Sequence, residues 1–346
     1  MVISPLQWGL GAAGLLVLVL VLVHGIWTTR RNLPRQASLA PGEAAQPSDD
    51  VLEPSLDDAA FDVGRLPLPM LEKKPALDAL IDVIAPIAVE GPVSGDAALA
   101  ALPSTRRAGS KPFAVEGYSE ARQRWEMPVA GQRYAQFQAG VQLANRAGAL
   151  NEIEYSEFVM KTEAFCDAIN GTADFPDMLE EVARARELDQ FAGDHDAQLA
   201  FMLRARHAAW SPGYVQQNAA RLGFVAGAIP GRMVVPAPLP GLPPILGLSF
   251  DTQAALAEDP TLSPIRELVI SLDVPQVERG ERAFERMCEA ALTLADSMDG
   301  TVTDDRGLPL PRESMDVIGA ELDHLYDALD QRELSAGSVL ARRLFS

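Results

Sequence analysis

The stretch "VISLDVPQVERGERAFERMCEAALTLADSMDGT" (269–301) passes from the hydrophobic period of a strand to that of a helix and then to a stop within 33 residues. With Leu268 just before it, Ile270, Leu272 and Val274 alternate with Val269 and Ser271, which is the period of a strand with one buried face. Phe284, Met287, Cys288, Ala291, Ala295 and Met298 then recur at three and four residues, the stripe of an amphipathic helix over 278–299. Asp299-Gly300-Thr301 ends that helix, and a short strand follows. A strand, a helix and a strand in this order place the helix on one face of a sheet.

Working outward, "LAFMLRA" (199–205) alternates with Leu199, Phe201 and Leu203 on one side. Ser211-Pro212 predicts a helix start, with an N-cap side chain followed by a proline that needs no N–H partner. Val215, Ala219 and Leu222 form its stripe, and Gly223 offers the left-handed stop. "FVAGAIPGRMVV" (224–235) reads as one strand, and "ILGLSF" (245–250) as another with Leu246, Leu248 and Phe250 inward. A last helix begins after Pro311, with Met315, Ile318, Leu322, Leu325 and Leu329 on its buried side. The order β-α-β-β-β-α-β-α, with clean alternation in the strands, predicts an α+β domain over 196–346, its antiparallel sheet covered by helices on one face.

A similar string lies upstream. "VQLANRAGALNEIEYSEFVMKTEAFCDAINGT" (141–172) also reads strand, helix, Asn-Gly-Thr, and a helix near 177–191 parallels the terminal one. Either an internal repeat or the chance likeness of two ordinary βα units accounts for it. Residues 113–195 are expected to form an α/β extension, possible half-repeat included, with order returning near Tyr134.

The N-terminal part is different in kind. Leu6 to Trp27 holds no charged side chain, about the ~20 residues needed to cross a bilayer. Nothing basic precedes it, no small-residue cleavage site follows, and Trp8 and Trp27 stand where an aromatic belt would lie. Residues 1–33 are therefore expected to be a permanent single-pass transmembrane helix. Arg30, Arg31 and Arg35 place the N-terminus outside (periplasmic) and the C-terminal part in the cytoplasm. Residues 34–112 are rich in proline, poor in aromatics and acidic, which predicts a disordered linker. A flexible chain of about 80 residues spans roughly 50 Å. Within it Leu77, Leu80, Ile81 and Ile84 have helical spacing, the mark of a short docking motif or a transient turn.

In the 346 residues 48 acidic side chains outnumber 29 basic ones, for a formal net charge of −19, which argues against nucleic acid as a partner. The two cysteines, Cys166 and Cys288, fall in helical stripes and read as reduced core thiols. The four histidines have no metal-ligand spacing, and no P-loop, G-x-S-x-G or H-E-x-x-H string occurs. Gly9 to Gly14 spells G-x-G-x-x-G, but inside the apolar span, where no strand-to-helix turn can form. Asp304-Asp305 reads as a solvated turn. No cofactor or metal is implied, and the reading favours a binding module over an enzyme.

"LVHGIWTTRR" after the apolar span, "LDVP" (272–275) and "TVTDDRGLPLP" (301–311), taken in order, resemble the ZipA family of bacterial division proteins, which tether FtsZ to the inner membrane. The resemblance covers residues 6–35 and about 197–330. It implies an anchor, a linker and a C-terminal split β-α-β domain of ZipA type, located at the division site. It also implies that the C-terminal tail peptide of FtsZ docks on the helix-free sheet face. By position, and by being out of phase with the core set, Gln198, Ala200, Ile229, Gly231, Ser249, Asp251, Val269 and Ser271 would line that face. A different peptide or envelope protein as ligand is the alternative, and weak self-association a further expectation.

Overall fold

The computed structural model describes residues 35–36, 77–257, 259 and 263–346. The apolar 6–27 stretch and most of the 34–76 segment lie outside the described residues. Among those described, no helix is long and apolar enough to cross a membrane. The chain forms two compact units. The N-terminal unit holds 77–194 together with Arg343–Ser346, and the C-terminal unit holds residues 195–342 together with Arg35.

In the N-terminal unit the elements run β1 (Asp82–Ser94), α1 (Gly95–Ala101), β2 (Arg107–Ala108), β3 (Lys111–Ser119), β4 (Arg124–Glu126), β5 (Arg133–Gln142), a two-residue hairpin of β6 (Ala144–Asn145) and β7 (Gly148–Ala149), α2 (Glu152–Ile169), β8 (Gly171–Ala173) and α3 (Met178–His195). The antiparallel sheet has the order β2-β3-β5-β1-β8. Val83, Ala85 and Ile87 of β1 are buried with Phe113 and Val115 of β3 and Phe137, Ala139 and Val141 of β5. Helix α2 supplies Tyr155, Phe158, Phe165 and Cys166 to the same core. It starts at a capping box, Asn151 accepting from the Glu154 amide while Glu154 accepts from that of Asn151.

The C-terminal unit repeats this plan: β9 (Gln198–Ala205), α4 (Pro212–Ala220), β10 (Val225–Ala226), β11 (Arg232–Val235), β12 (Leu246–Phe250), a short α5 (Thr252–Ala255), β13 (Glu267–Asp273), α6 (Ala283–Met298), β14 (Gly300–Thr303), α7 (Arg312–Gln331) and α8 (Val339–Leu344), whose last two residues belong to the other unit. Its sheet order is β10-β11-β12-β13-β9-β14. The cores β3-β5-β1-β8 and β12-β13-β9-β14 are the same four-strand path, filled in the same chain order. The register agrees too: Thr172 pairs with Ala88 as Thr301 pairs with Arg204, one residue after glycines Gly171 and Gly300. Asn170 and Asp299 close α2 and α6 in the left-handed conformation, with φ of 51° and 57°. Short polar side chains tolerate that backbone at low cost.

Several sequence expectations are thereby revised. Within the expected disordered segment 34–112, residues 77–112 carry β1, α1 and β2, and the 113–195 extension is the larger part of a complete unit. Pro86 and Gly91-Pro92 disguise β1; Pro86 sits on the exposed face, and a register shift between Ala88 and Val93 accommodates the other two. Leu77, Leu80, Ile81 and Ile84 belong to a turn and to the start of β1 and form no helix. The single strand expected at 224–235 is a hairpin. The α+β class with antiparallel sheets holds for both units.

Candidate peptide-binding face

The open face of the C-terminal sheet follows from strand pairing, since directly opposed residues point the same way. One row runs Arg232, Ser249, Val269, Met202, Thr303. The next runs Val225, Val234, Gly247, Ser271, Ala200. Arg204 and Glu267 oppose one another at the edge and form an ion pair of 3.1 Å. The other phase, Phe201, Leu203, Met233, Val235, Leu246, Leu248, Phe250, Leu268, Ile270 and Leu272, is buried under the helices. Phe201 meets Phe284 of α6 edge-on, their ring centroids 6.1 Å apart.

Of the eight predicted residues, five lie together on this face: Gln198, Ala200, Ser249, Val269 and Ser271. Three do not. Ile229 and Gly231 lie in the turn between β10 and β11, and Asp251 caps α5 by accepting from the Gln253 amide at 2.8 Å. The turn is closed by Arg232 N–H donating to the Ile229 carbonyl at 3.1 Å, with Gly231 at φ +78°. Reading 224–235 as one strand carried the alternation through that turn and into the wrong phase. Sequence reasoning missed Met202, Val225, Val234 and Gly247. Met202 was findable, two residues beyond Ala200 in unbroken alternation. Val234 required noticing that Pro230-Gly231 resets the phase.

These additions alter the chemistry of the face. Met202, Val234 and Val269 are half-exposed and Val225 is exposed, so four sizeable apolar side chains line it beside Ala200. Between them the floor dips at Gly247, where an added Cβ would stand 2.6 Å from the Ser271 hydroxyl. A shallow apolar strip with small residues at its centre suits the apolar face of a short helix or extended peptide.

The N-terminal unit presents a different surface at the same place. Its equivalent rows are Ala114, Gly140, Ile84 and Glu116, Gln138, Pro86. Leu77 lies over them: a Cβ on Gly140 would be 2.6 Å from the Leu77 side chain. The Leu77 amide and the Gln138 amide group both donate to Glu116, at 3.4 and 2.8 Å. At the end of the sheet fully buried Asp82 accepts from both guanidinium nitrogens of Arg343, at 2.6 and 3.0 Å. Burial pushes the Asp82 carboxyl upward, against the pull of Arg343.

Among the described residues catalytic groups do not gather in either unit. A groove of about 980 Å³ lies between α6 and α7, away from the open sheet face, but Arg279 on its rim is held by Asp323 and Asp327, each at 2.8 Å. Burial pushes the Cys288 thiol in this groove up to about 11, opposite to what a nucleophile needs. Cys166 and Cys288 are both free thiols, Cys288 less buried than expected. Among the described residues no three His, Cys, Asp or Glu side chains converge to hold a metal ion.

Residues 260–321 match the ZipA, C-terminal FtsZ-binding domain family. The match spans β13, α6, β14 and the first half of α7, so the central strand of the open face is inside it. The ZipA-like resemblance read from the sequence is thus shown over this segment, and the family is one of protein-binding domains. No curated protein matches the chain.

Proposed function

We propose that this chain is a non-enzymatic adaptor of bacterial cell division that binds the C-terminal tail peptide of FtsZ on the open sheet face of its C-terminal unit. The observation that carries the reading is coincidence: the ZipA-like match includes β13, whose Val269 stands between Met202 and Ser249 on the apolar strip. The tail would lay apolar side chains along Met202, Val225, Val234 and Val269, with Gly247 and Ser271 allowing close approach. The apolar stretch 6–27 anchors the chain in the inner membrane, N-terminus outside, and keeps the units at the division site on the cytoplasmic side. Four modest anchors support a dissociation constant of tens of micromolar, about −6 to −7 kcal/mol. Polymerised partners presenting many tails to membrane-held copies make that sufficient.

Titration of an FtsZ tail peptide into the full chain tests the reading. Saturable binding in that range, lost in Met202→Asp, is the expected result. Absence of binding at millimolar peptide would refute it. A periplasm-dependent reporter fused after residue 346 should be inactive, and an active one would contradict the topology.

A further inference from the structure

The loop 206–211 and the end of α6 make a notch, and a residue distant in sequence fills it. Arg35 pairs with Trp210 as a parallel bridge: its amide donates to the Ala209 carbonyl, and its carbonyl accepts from Ser211 at 2.9 Å. Trp210 is fully buried and its other edge pairs with Ile265, just before β13, so the Arg35 backbone adds to an existing ladder. The Arg35 guanidinium reaches the end of α6, where one nitrogen donates to the Met298 carbonyl at 3.1 Å and another to the Asp299 carboxylate at 3.0 Å. The Trp210 indole N–H donates to the same Met298 carbonyl at 2.7 Å. Helix C-termini leave carbonyls unpaired and carry partial negative charge, so a cation there is doubly favoured. His207 also bonds Asp299 at 3.0 Å, and Arg206 bonds Thr301 next to it.

We propose that this notch is a docking site for the chain's own segment around Arg35, and that it holds the C-terminal unit at the membrane end of the chain instead of leaving it on a long leash. The consequence rests on reading 6–27 as the anchor. Trp27 precedes Arg35 by eight residues (35 − 27), a reach of at most about 28 Å fully extended. The open face would thus work in a narrow layer near the bilayer, which raises its effective concentration against membrane-apposed polymers.

Asp299→Asn is the discriminating variant. It removes the charge while keeping a residue that adopts the left-handed conformation, as Asn170 does at the equivalent position of the other unit. Hydrogen exchange of the full chain, reconstituted in phosphatidylethanolamine/phosphatidylglycerol vesicles, reads the amides of Arg35 and Ser211 directly. Both should be protected in the wild type. Asp299→Asn and Arg35→Gln should each speed their exchange at least tenfold, with protection of β9 and β13 unchanged. Exchange around Arg35 at the rate of an unstructured peptide in the wild type would overturn the proposal, and so would protection that neither variant reduces. Flotation with the same vesicles separates the two readings: a chain that fails to float but keeps the protected amides retains the notch and loses only the anchor.

Discussion

Where the C-terminal unit carries Val269 between Met202 and Ser249, the N-terminal unit carries Gln138 between Pro86 and Glu116. Where the first has an open dip at Gly247, the second has Ala114, beside a Gly140 whose space is taken by Leu77. The backbone path, the pairing register and the left-handed helix stops agree between the units, while the exposed surfaces do not. The plan of a sheet with helices on one face sets where a ligand could lie. The side chains out of phase with the core set whether one does. Among the described residues one copy of the plan keeps an apolar strip that nothing covers, and the other carries Glu116 and Gln138 with Leu77 lying over Gly140.

That contrast can be broken at several points. The largest effect is expected in the N-terminal core. Phe158 is fully buried, with the rings of Phe113, Tyr155 and Phe175 at 5.7–6.1 Å. Phe158→Ala should cost about 3–5 kcal/mol, read by denaturant unfolding with Trp125 as the probe of that unit. Tail binding at the other unit should survive it. A cost below about 1 kcal/mol would mean that α2 does not share a core with this sheet.

Next is the cover itself. Leu77 is only 7% exposed, and Leu77→Ala should cost about 2–3 kcal/mol. It should not create a second tail site, because Glu116 and Gln138 remain beneath it. Stoichiometry rising to two peptides per chain would show that covering, and not polarity, silences this face.

Smaller again is the effect of a charge on the open strip. Val269→Asp should weaken tail binding at least tenfold, about 1.4 kcal/mol or more, with the unfolding midpoint little changed because Val269 is half-exposed. Ile229→Asp, in the β10–β11 turn, should change affinity less than twofold. Equal losses from both would place the site at the turn end of the sheet.

The smallest effect concerns pH. Asp299 is held below the ordinary carboxylate range, first by its bond to His207 and then by the nearby charges of Arg35 and Arg206. A carboxylate whose folded value is lowered stabilises the fold above its unfolded value of about 3.9 and loses that contribution as pH falls through the lower folded value. Exchange protection at Arg35 and Ser211 should therefore hold from neutral pH to about pH 5 and fade only below about pH 4. Loss already between pH 7 and 6 would contradict the assignment to Asp299.

How far the sequence could be read differs between the units in the same way. Alternation in β9, β12 and β13, the stripe of α6 and the Ser211-Pro212 helix start are local signals, and each element forms where they place it. Asn-Gly-Thr and Asp-Gly-Thr marked the repeat because both sit at a helix stop that demands a left-handed residue. The first strand of the N-terminal unit was hidden because its two prolines and a glycine carry the composition of a linker, while its burial comes from pairing with β5, about 50 residues on. The face was legible only where alternation ran unbroken. One turn at Pro230-Gly231 misplaced Ile229 and concealed Val234. The Arg35 contact, 264 residues from its partner, leaves no periodic trace at all.

The most direct measurement is hydrogen exchange of the full chain with and without a saturating FtsZ tail peptide, read separately over the two sheets. One bound peptide per chain, with added protection confined to β9, β11, β12 and β13 and none in β1, β3 and β5, is the predicted result. Protection appearing on β1, β3 and β5, or on both sheets with two peptides bound, would contradict the assignment of one open and one covered copy.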